Sequence, residues 1–253
     1  MIKFFRKIRF SLMGVNKTGK YVKYALGEIF LVVIGILIAL QINNWNEFNK
    51  EQALLTASLN SLILNLNEDI ENLNKQIEYN RDVQEAIEFS FRIISLPDYE
   101  NVALSNFANE IKDIASEKTF LPSKTAYKSM ESSSHFQWIN NQELAESIFK
   151  YYAVLDRFSN ITNENNQFVK KHIESFIYTE MEFGTFFPSS NAYSNERSLA
   201  LDNTDILRGK PAFENALIGR KFRANGEINL SRDAILKAEE LIESITTYLK
   251  NNN

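Results

Sequence analysis

Residues that could carry out chemistry are few in this chain, and they lie far apart. The 253 residues include two histidines, His135 and His172, and no cysteine. The sequence has no Glu-x-x-His pair of the kind that holds a di-iron site in a helical bundle. It also has no glycine-rich phosphate loop and no Gly-x-Ser-x-Gly elbow. We interpret each histidine as a surface residue or a hydrogen-bonded core residue. The sequence thus predicts no catalytic, metal-binding or cofactor-binding residue and does not favour an enzyme.

Two compact groups of polar and aromatic residues have structural interpretations. Glu68, Asp69 and Glu71 are acidic residues close together in the sequence, which is typical of the solvated face of a helix. Tyr151 and Tyr152 are adjacent, and adjacent residues of a helix do not share a face. We therefore expect one tyrosine ring to pack in the core and the other to be exposed.

The stretch that defines the environment of the chain is YALGEIFLVVIGILIALQI, from Tyr24 to Ile42. Its 19 residues would form a helix of about 28 Å, close to the thickness of the hydrocarbon core of a bilayer. Glu28 would cost about 2.5 to 3.5 kcal/mol at mid-membrane, whereas the apolar residues from Ile29 to Leu40 contribute about 3 to 6 kcal/mol. We therefore predict one transmembrane helix within residues 21–45.

The charges before this stretch predict its orientation. Seven basic residues and no acidic residue precede Glu28: Lys3, Arg6, Lys7, Arg9, Lys17, Lys20 and Lys23. Short basic flanks stay in the cytoplasm, so we predict a cytoplasmic N-terminus and a periplasmic C-terminal domain, anchored in the inner membrane of a bacterium. Of the 28 basic and 32 acidic residues, the part after Glu28 keeps 21 and 31. Its formal charge of −10 argues against nucleic acid as a partner.

Two further features favour an anchor that is retained over a signal peptide that is removed. The sequence from Leu40 to Asn43 offers no small-residue cleavage site. Tyr21 and Tyr24 at one end and Trp45 at the other fit the aromatic belts found at membrane interfaces. We therefore expect the lipid bilayer to be a partner of the mature chain.

Two segments resemble a known family. FFRKIRF, from Phe4 to Phe10, and GEIFLVVIGILIALQINNWNE, from Gly27 to Glu47, resemble the opening of a large family of uncharacterised bacterial single-pass membrane proteins. The similarity continues more loosely from Pro122 to Tyr152, where Ser134-His135 stands in place of a Ser-Gly pair. The resemblance implies a membrane anchor followed by a helical exported domain, and it brings no catalytic residue.

Two features near the membrane suggest contacts. Residues 2–12 carry apolar side chains at helical spacing with basic residues between them, which predicts an amphipathic helix on the inner leaflet. The alternative for residues 1–20 is a flexible basic tail that serves only topology. In the membrane helix, Gly35 and Ala39 form a small-xxx-small pair that would let the helices of two copies approach closely.

A long helix is predicted after the membrane stretch. No glycine or proline follows Trp45 until Pro97, and apolar residues recur at a mean spacing close to that of a straight helix: Leu55, Leu59, Leu62, Leu66, Ile70, Leu73 and Ile77. We predict that the membrane helix continues as one rod. The alternative is a break at Asn43 to Asn46, since asparagine disfavours helix interiors.

The remainder predicts further helices. A short helix is expected at 102–116, another at 124–139, and a long one from an N-cap at Asn140-Asn141 with the stripe Leu144, Ile148, Tyr151, Leu155 and Phe158. Residues 162–167 are wholly polar and form a kink, a polar layer or a solvated face, the last being favoured.

The C-terminal third is predicted to contain a loop and one more helix. Residues 184–203 have no clear period, which indicates a loop. Pro211 suits the start of a last helix, with Ile218, Phe222 and Leu230 among its candidates for burial, and Asn225-Gly226 would bend or divide it.

These patterns together predict an all-α protein. We expect a cytoplasmic tail (1–20), a transmembrane helix (21–45) and an exported up-and-down bundle of about four main helices (46–253). Three functions are compatible with it. The first is a membrane-anchored interaction module that binds a protein partner, an envelope component or a second copy. The second is a sensory bundle that binds a small molecule, and the third, least favoured, is a hydrolase or metalloenzyme.

Overall fold

The computed structural model describes residues 18–95, 104–180 and 210–252, and every regular element within these ranges is helical. The predicted all-α class is therefore confirmed. The elements are α1 (Thr18–Ser95), α2 (Leu104–Ala115), α3 (Thr125–Ser132), a 3₁₀ turn (His135–Trp138), α4 (Gln142–Val169), a π turn (Lys170–Glu174), α5 (Ser175–Glu180) and α6 (Pro211–Asn252). The predicted amphipathic helix at 2–12 and the predicted loop at 184–203 lie outside the described residues.

The first helix is continuous over 78 residues. It passes through Asn43 to Asn46 without interruption, so the predicted rod is confirmed and the alternative of a break there is wrong. It ends at Ser95, two residues before Pro97, as expected because proline disfavours the helical conformation in the residue before it. The chain forms two compact units, Met1–Thr56 and Ala57–Asn253.

In the second unit, the segment from α2 to the 3₁₀ turn lies beside α1. His135 lies beside Ser58, Ser123 beside Asp69, and Ser116 beside Tyr79. Higher residue numbers in this segment therefore meet lower numbers in α1, which defines an antiparallel leg made of α2, an extended stretch, α3 and the 3₁₀ turn.

The last two legs complete an up-and-down bundle. Tyr151 of α4 contacts Asp69, and Asn165 reaches the same carboxylate of α6 as Gln76, so α4 runs parallel to α1. The helix α6 is antiparallel to both, since Asn140 lies beside Tyr248 near its end. Three of the four predicted main elements are long helices, and the second leg is broken into short ones.

The buried faces of the long helices are built on an alternation of three and four residues. In α6 it runs through Phe213, Leu217, Arg220, Ala224, Glu227, Ser231, Ala234, Ala238, Leu241, Ile245 and Tyr248, and the neighbouring Ala216 and Ile228 are also buried. In α1 it runs through Leu55, Leu59, Leu62, Leu66, Asp69, Leu73, Gln76, Asn80, Val83, Ile87 and Ser90, and Ile77, Ala86 and Ile93 are also buried. This spacing is the 3.5-residue period of left-handed helix packing, so the period of a straight helix inferred from Ile70 is wrong, because Asp69 occupies that core position.

The π turn in the third leg restores the core face after α4. From Leu144 to Val169 the buried positions keep the same alternation. One extra residue in the π turn then makes Ile173 the next buried residue, with His172 left exposed.

Several predictions about single residues are wrong. The prediction that Asn225-Gly226 divides the last helix in two is wrong, since α6 is one helix that starts at Pro211, as predicted. Ile218 and Phe222 are 56% and 79% exposed, because they fall between the heptad positions. Tyr151 and Tyr152 are both buried, since α4 packs against more than one leg and therefore buries a wide face.

The serine run after α3 makes a turn without glycine. The predicted helix at 124–139 ends at Ser132, and Ser134 adopts φ 57° and ψ 25°. Among the residues that the structure describes, Ser134 is the one non-glycine residue with a positive φ. Such a conformation is costly for a residue with a Cβ atom. The chain therefore turns at Ser134, one residue before the position where the resemblance places glycine.

Candidate functional site

A buried carboxyl group joins α1 to the segment before α3. Asp69 is fully buried. Its Oδ1 accepts a hydrogen bond of 2.6 Å from the backbone N–H of Ser123, and its Oδ2 accepts one of 3.4 Å from the hydroxyl of Tyr151. The prediction that Asp69 belongs to a solvated face is wrong, because the 3.5-residue period brings it into the core.

Neighbouring residues of α1 add to this attachment. Oε2 of Glu68 accepts a hydrogen bond of 2.6 Å from the Ser123 hydroxyl, and Oδ1 of Asn65 accepts one of 2.7 Å from the backbone N–H of Ala126. The N-terminus of α3 has no side-chain cap from Lys124. Side chains of α1 therefore satisfy N–H groups at the start of α3 that its own sequence leaves free.

The surroundings of Asp69 change its acidity. Burial raises the pKa of Asp69 to about 7, and the charge of Glu68 raises it too, whereas the hydrogen bonds from Ser123 and Tyr151 and the charge of Lys124 lower it. Burial likewise raises the pKa of the Tyr151 phenol above its ordinary value, with the nearby Asp69 charge as the next cause. The Tyr151 hydroxyl therefore remains a neutral donor at physiological pH.

A second polar layer surrounds Glu227, which is 2% exposed. Its carboxylate accepts hydrogen bonds from the side-chain amides of Gln76 (2.8 Å), Asn80 (2.8 Å) and Asn165 (2.6 Å). Nη1 of Arg223 donates to Oδ1 of Asn165 across 2.9 Å. In the polar stretch 162–167, Thr162, Asn165 and Asn166 therefore belong to a buried polar layer. The favoured interpretation as a solvated face is wrong for these three residues and correct for the exposed Asn163, Glu164 and Gln167.

Next to this layer lies a buried guanidinium group. Arg220 is 1% exposed, and its Nη2 donates to the Tyr79 hydroxyl at 2.7 Å and to the Ser116 carbonyl at 3.3 Å. Its guanidinium carbon lies 5.8 Å from the centre of the Tyr79 ring. These contacts attach α2 and α6 to α1 through one side chain.

A concave surface runs between α4 and α6. A cavity of about 290 Å³ is lined by one face of each helix: Ser147, Lys150, Tyr151 and Val154 of α4, and Lys237, Glu240, Leu241 and Ser244 of α6. A second cavity of about 460 Å³ shares Ser244 and continues toward Asn140 and Asn252. We call the first cavity the α4/α6 groove. Tyr151 belongs both to this groove and to the Asp69 site.

The structure does not bring the two histidines together. Nδ1 of His135 lies 2.8 Å from the Ser58 hydroxyl, and its ring stacks on Trp138 at 4.5 Å. The ring of His172 lies 4.7 Å from that of Phe168. Within the described ranges, no group of three or more histidine, aspartate or glutamate residues is arranged to hold a metal ion.

The predicted anchor residues that can be described are exposed. Four of them are exposed residues of α1: Lys23, Gly35, Ala39 and Trp45. A Cβ atom added at Gly35 would meet nothing within 4 Å. Lys20 belongs to α1. The remaining predicted topology residues lie outside the described ranges: Lys3, Arg6, Lys7, Arg9 and Lys17. By length and composition, α1 from Ala25 onward is able to cross a membrane, and none of its most apolar window is buried.

Sequence reasoning missed the polar core because it followed apolar residues alone. Arg220 and Glu227 are seven residues apart in α6, at equivalent heptad positions, as are Asp69 and Gln76 in α1. A search for a 3.5-residue period that allowed polar members would have found them.

Comparison with known proteins identifies a family without a known activity. The model of a family described as a family of unknown function (DUF6090) matches residues 28–202, which is more than half of the 253-residue chain. No curated protein and no solved structure matches the chain significantly.

Proposed function

This chain belongs to the family of unknown function DUF6090, and we propose that it is a membrane-anchored helical interaction module. The observation that carries the proposal is the exposed apolar part of α1. Ile29, Phe30 and Leu31 are consecutive, so they point in different directions, and they are 60%, 66% and 64% exposed. A helix that is apolar on all sides requires an apolar surrounding, and lipid supplies it over a helix length of this size.

The basic flank supports one orientation. Basic residues hold short segments in the cytoplasm, so the N-terminus is cytoplasmic and the bundle lies in the periplasm of a bacterium. The acidic character of the bundle is compatible with that side of the membrane. Its partners there are a protein, an envelope component or a second copy, the last through the face of Gly35 and Ala39.

The rigidity of the bundle supports a role in binding. Its legs are joined by buried hydrogen bonds at Asp69, Arg220 and Glu227, so its surface is held in one arrangement. Ile218 and Phe222 form an exposed apolar pair on α6, and exposed large apolar side chains are common at protein contacts. The bundle thus presents a fixed surface to a partner.

Cysteine labelling tests the anchor and its orientation, because the natural chain has no cysteine. Single variants Ser11→Cys and Asn251→Cys are treated in intact cells with a maleimide that cannot cross the inner membrane but reaches the periplasm. We expect labelling of Asn251→Cys in intact cells and of Ser11→Cys only after the inner membrane is broken. Equal labelling of both variants, or a soluble protein trimmed at its N-terminus, would contradict the proposal.

Photo-crosslinking tests the interaction. A photoreactive amino acid is placed at Phe222, with Glu239, an exposed residue of the same helix, as the matched control. We expect a discrete adduct from Phe222 in intact membranes and none from Glu239. If both positions give the same heterogeneous mixture of adducts, or neither gives an adduct, Phe222 is not a contact with a specific partner. Failure to recover any specific partner from intact membranes would count against the module itself.

A further inference from the structure

The α4/α6 groove has the form of a small-molecule site. Its volume of about 290 Å³ lies at the lower end of the range for ligand pockets, about 300 to 1,000 Å³. Ser147 of α4 and Ser244 of α6 both line the groove, and such short side chains leave space between the two helices. We propose that this groove binds a free α-amino acid with an apolar side chain.

The floor of the groove is apolar and fixed. Leu241 is 4% exposed and Tyr151 is 3% exposed, and Val154 completes the lining beside them. Tyr151 cannot turn freely, since its hydroxyl is hydrogen-bonded to Asp69 in the core. Side chains that are already fixed in the free protein lose little conformational entropy when a ligand binds. The apolar side chain of the amino acid lies on this floor.

The rim carries charges of both signs. Lys150 of α4 and Lys237 of α6 line the groove from opposite helices, and Glu240 of α6 lines it as well. Two ammonium groups bind a carboxylate, and Glu240 binds an ammonium group. A zwitterion that carries both groups on one carbon atom satisfies this arrangement, whereas a ligand with a single charge satisfies half of it.

Lys150 is available for a ligand despite an existing ion pair. Its Nζ lies 3.2 Å from Oε2 of Glu146, but the side chains are 76% and 51% exposed. Exposed pairs of this kind contribute little free energy. Exchange of Glu146 for a ligand carboxylate therefore costs little. The hydroxyls of Ser147 and Ser244 donate to the carbonyls of Glu143 and Glu240, and their oxygens can still accept from an ammonium group of the ligand.

The test uses the full chain in detergent micelles and three matched probes. L-Leucine carries both charges, N-acetyl-L-leucine only the carboxylate, and L-leucinamide only the ammonium group. Binding is measured by isothermal titration calorimetry. We expect L-leucine to bind most tightly, N-acetyl-L-leucine about tenfold more weakly and L-leucinamide most weakly, because two lysines contribute to the carboxylate contact and one glutamate to the ammonium contact.

Three exposed groove residues and one exposed control separate the contributions. Lys150→Gln and Lys237→Gln should each weaken L-leucine about five- to tenfold. Glu240→Gln should weaken L-leucine to the level of N-acetyl-L-leucine and leave N-acetyl-L-leucine unchanged. Lys128→Gln, on the exposed surface of α3, should leave all three probes unchanged.

Two results would overturn the inference. The first is no heat of binding for L-leucine up to about 10 mM, a concentration well above the Kd of a specific small-molecule site. The second is binding that is unchanged by both lysine substitutions, or weakened equally by Lys128→Gln. The experiment needs neither a particular membrane orientation nor a protein partner, so its failure is distinct from failure of the proposed function.

Discussion

The side-chain amide of Asn165 donates a hydrogen bond of 2.6 Å to Oε1 of Glu227, a residue 62 positions later in the sequence. Both residues occupy core heptad positions, one in α4 and the other in α6, where apolar side chains would be the usual choice. Polar residues at such positions fix the register of packed helices, because each displacement of one helix along another leaves a buried group without its partner.

Replacement of Glu227 by glutamine tests whether this residue fixes the register of the packed helices. The carboxylate accepts from Gln76, Asn80 and Asn165, whereas a glutamine would direct an N–H₂ group at one of these donors. We expect the free energy of unfolding to fall by about 1 to 3 kcal/mol, measured by urea denaturation in detergent. Glu239→Gln, on the exposed face of α6, should change it by less than about 0.5 kcal/mol. Equal effects of the two substitutions would contradict this role of Glu227.

Replacement of Asp69 by asparagine tests the buried carboxyl group. Its pKa of about 7 in the folded protein lies above the ordinary value of about 3.9, so the folded state binds the proton more tightly than the unfolded chain. The contribution of Asp69 to stability is therefore complete below about pH 4 and is lost as the pH rises to about 7. The loss is on the order of 4 kcal/mol.

Asparagine cannot ionise, yet its oxygen can still accept from the backbone of Ser123. We expect the stability of Asp69→Asn to be close to that of the natural protein at pH 4. The difference between the two stabilities should be larger at pH 5, and at pH 8 Asp69→Asn should be the more stable protein. Thermal unfolding at several pH values measures this difference. Glu239→Gln, on the exposed face of α6, is the control and should keep the natural slope. The idea fails if Asp69→Asn shows the same pH dependence as the natural protein.

The two glycines within α6 should respond in opposite ways to alanine. A Cβ atom at Gly226 meets nothing within 4 Å, whereas one at Gly219 would lie 2.7 Å from Cζ of Phe168. The Phe168 ring has Arg223 over it at 4.4 Å and His172 beside it at 4.7 Å. Gly226→Ala should therefore stabilise the protein by about 0.5 to 1 kcal/mol, and Gly219→Ala should be less stable than Gly226→Ala by about 1 to 2 kcal/mol.

A second substitution separates the clash from other effects of Gly219→Ala. Phe168→Leu removes the far edge of the ring that the new Cβ atom would meet. In that background Gly219→Ala should lose most of its penalty, as a double-mutant cycle of chemical denaturation midpoints would measure. Independent, additive effects of the two changes would show that the ring is not the cause.

Glycine at position 134 should stabilise the turn after α3. Ser134 has φ 57°, a conformation that glycine adopts without the steric cost of a Cβ atom. Ser134→Gly should therefore raise the free energy of unfolding by about 0.5 to 1 kcal/mol. Ser133, with φ −91°, is the matched control, and its replacement by glycine should give no gain. A loss of stability in Ser134→Gly would indicate that the serine hydroxyl has a role of its own.

The sequence by itself determined the helical class and the ends of the main helices. Local chemistry is sufficient for these features, since Pro97 follows the end of α1, Pro211 begins α6, and Asn141 accepts a hydrogen bond from the Leu144 N–H at the start of α4. It also singled out the apolar stretch around Ile29 to Leu40, because composition alone marks such a segment.

The tertiary structure alone decided which polar residues are in the core. Asp69 is next to Ile70, and a helix stripe drawn through apolar residues selects Ile70, because nothing local indicates that Ser123 and Tyr151 will face the carboxyl group. Glu227 similarly needs amides from three distant positions before its burial is tolerable. Partners far apart in the sequence supply these hydrogen bonds, so the polar layers and the α4/α6 groove are properties of the packed bundle.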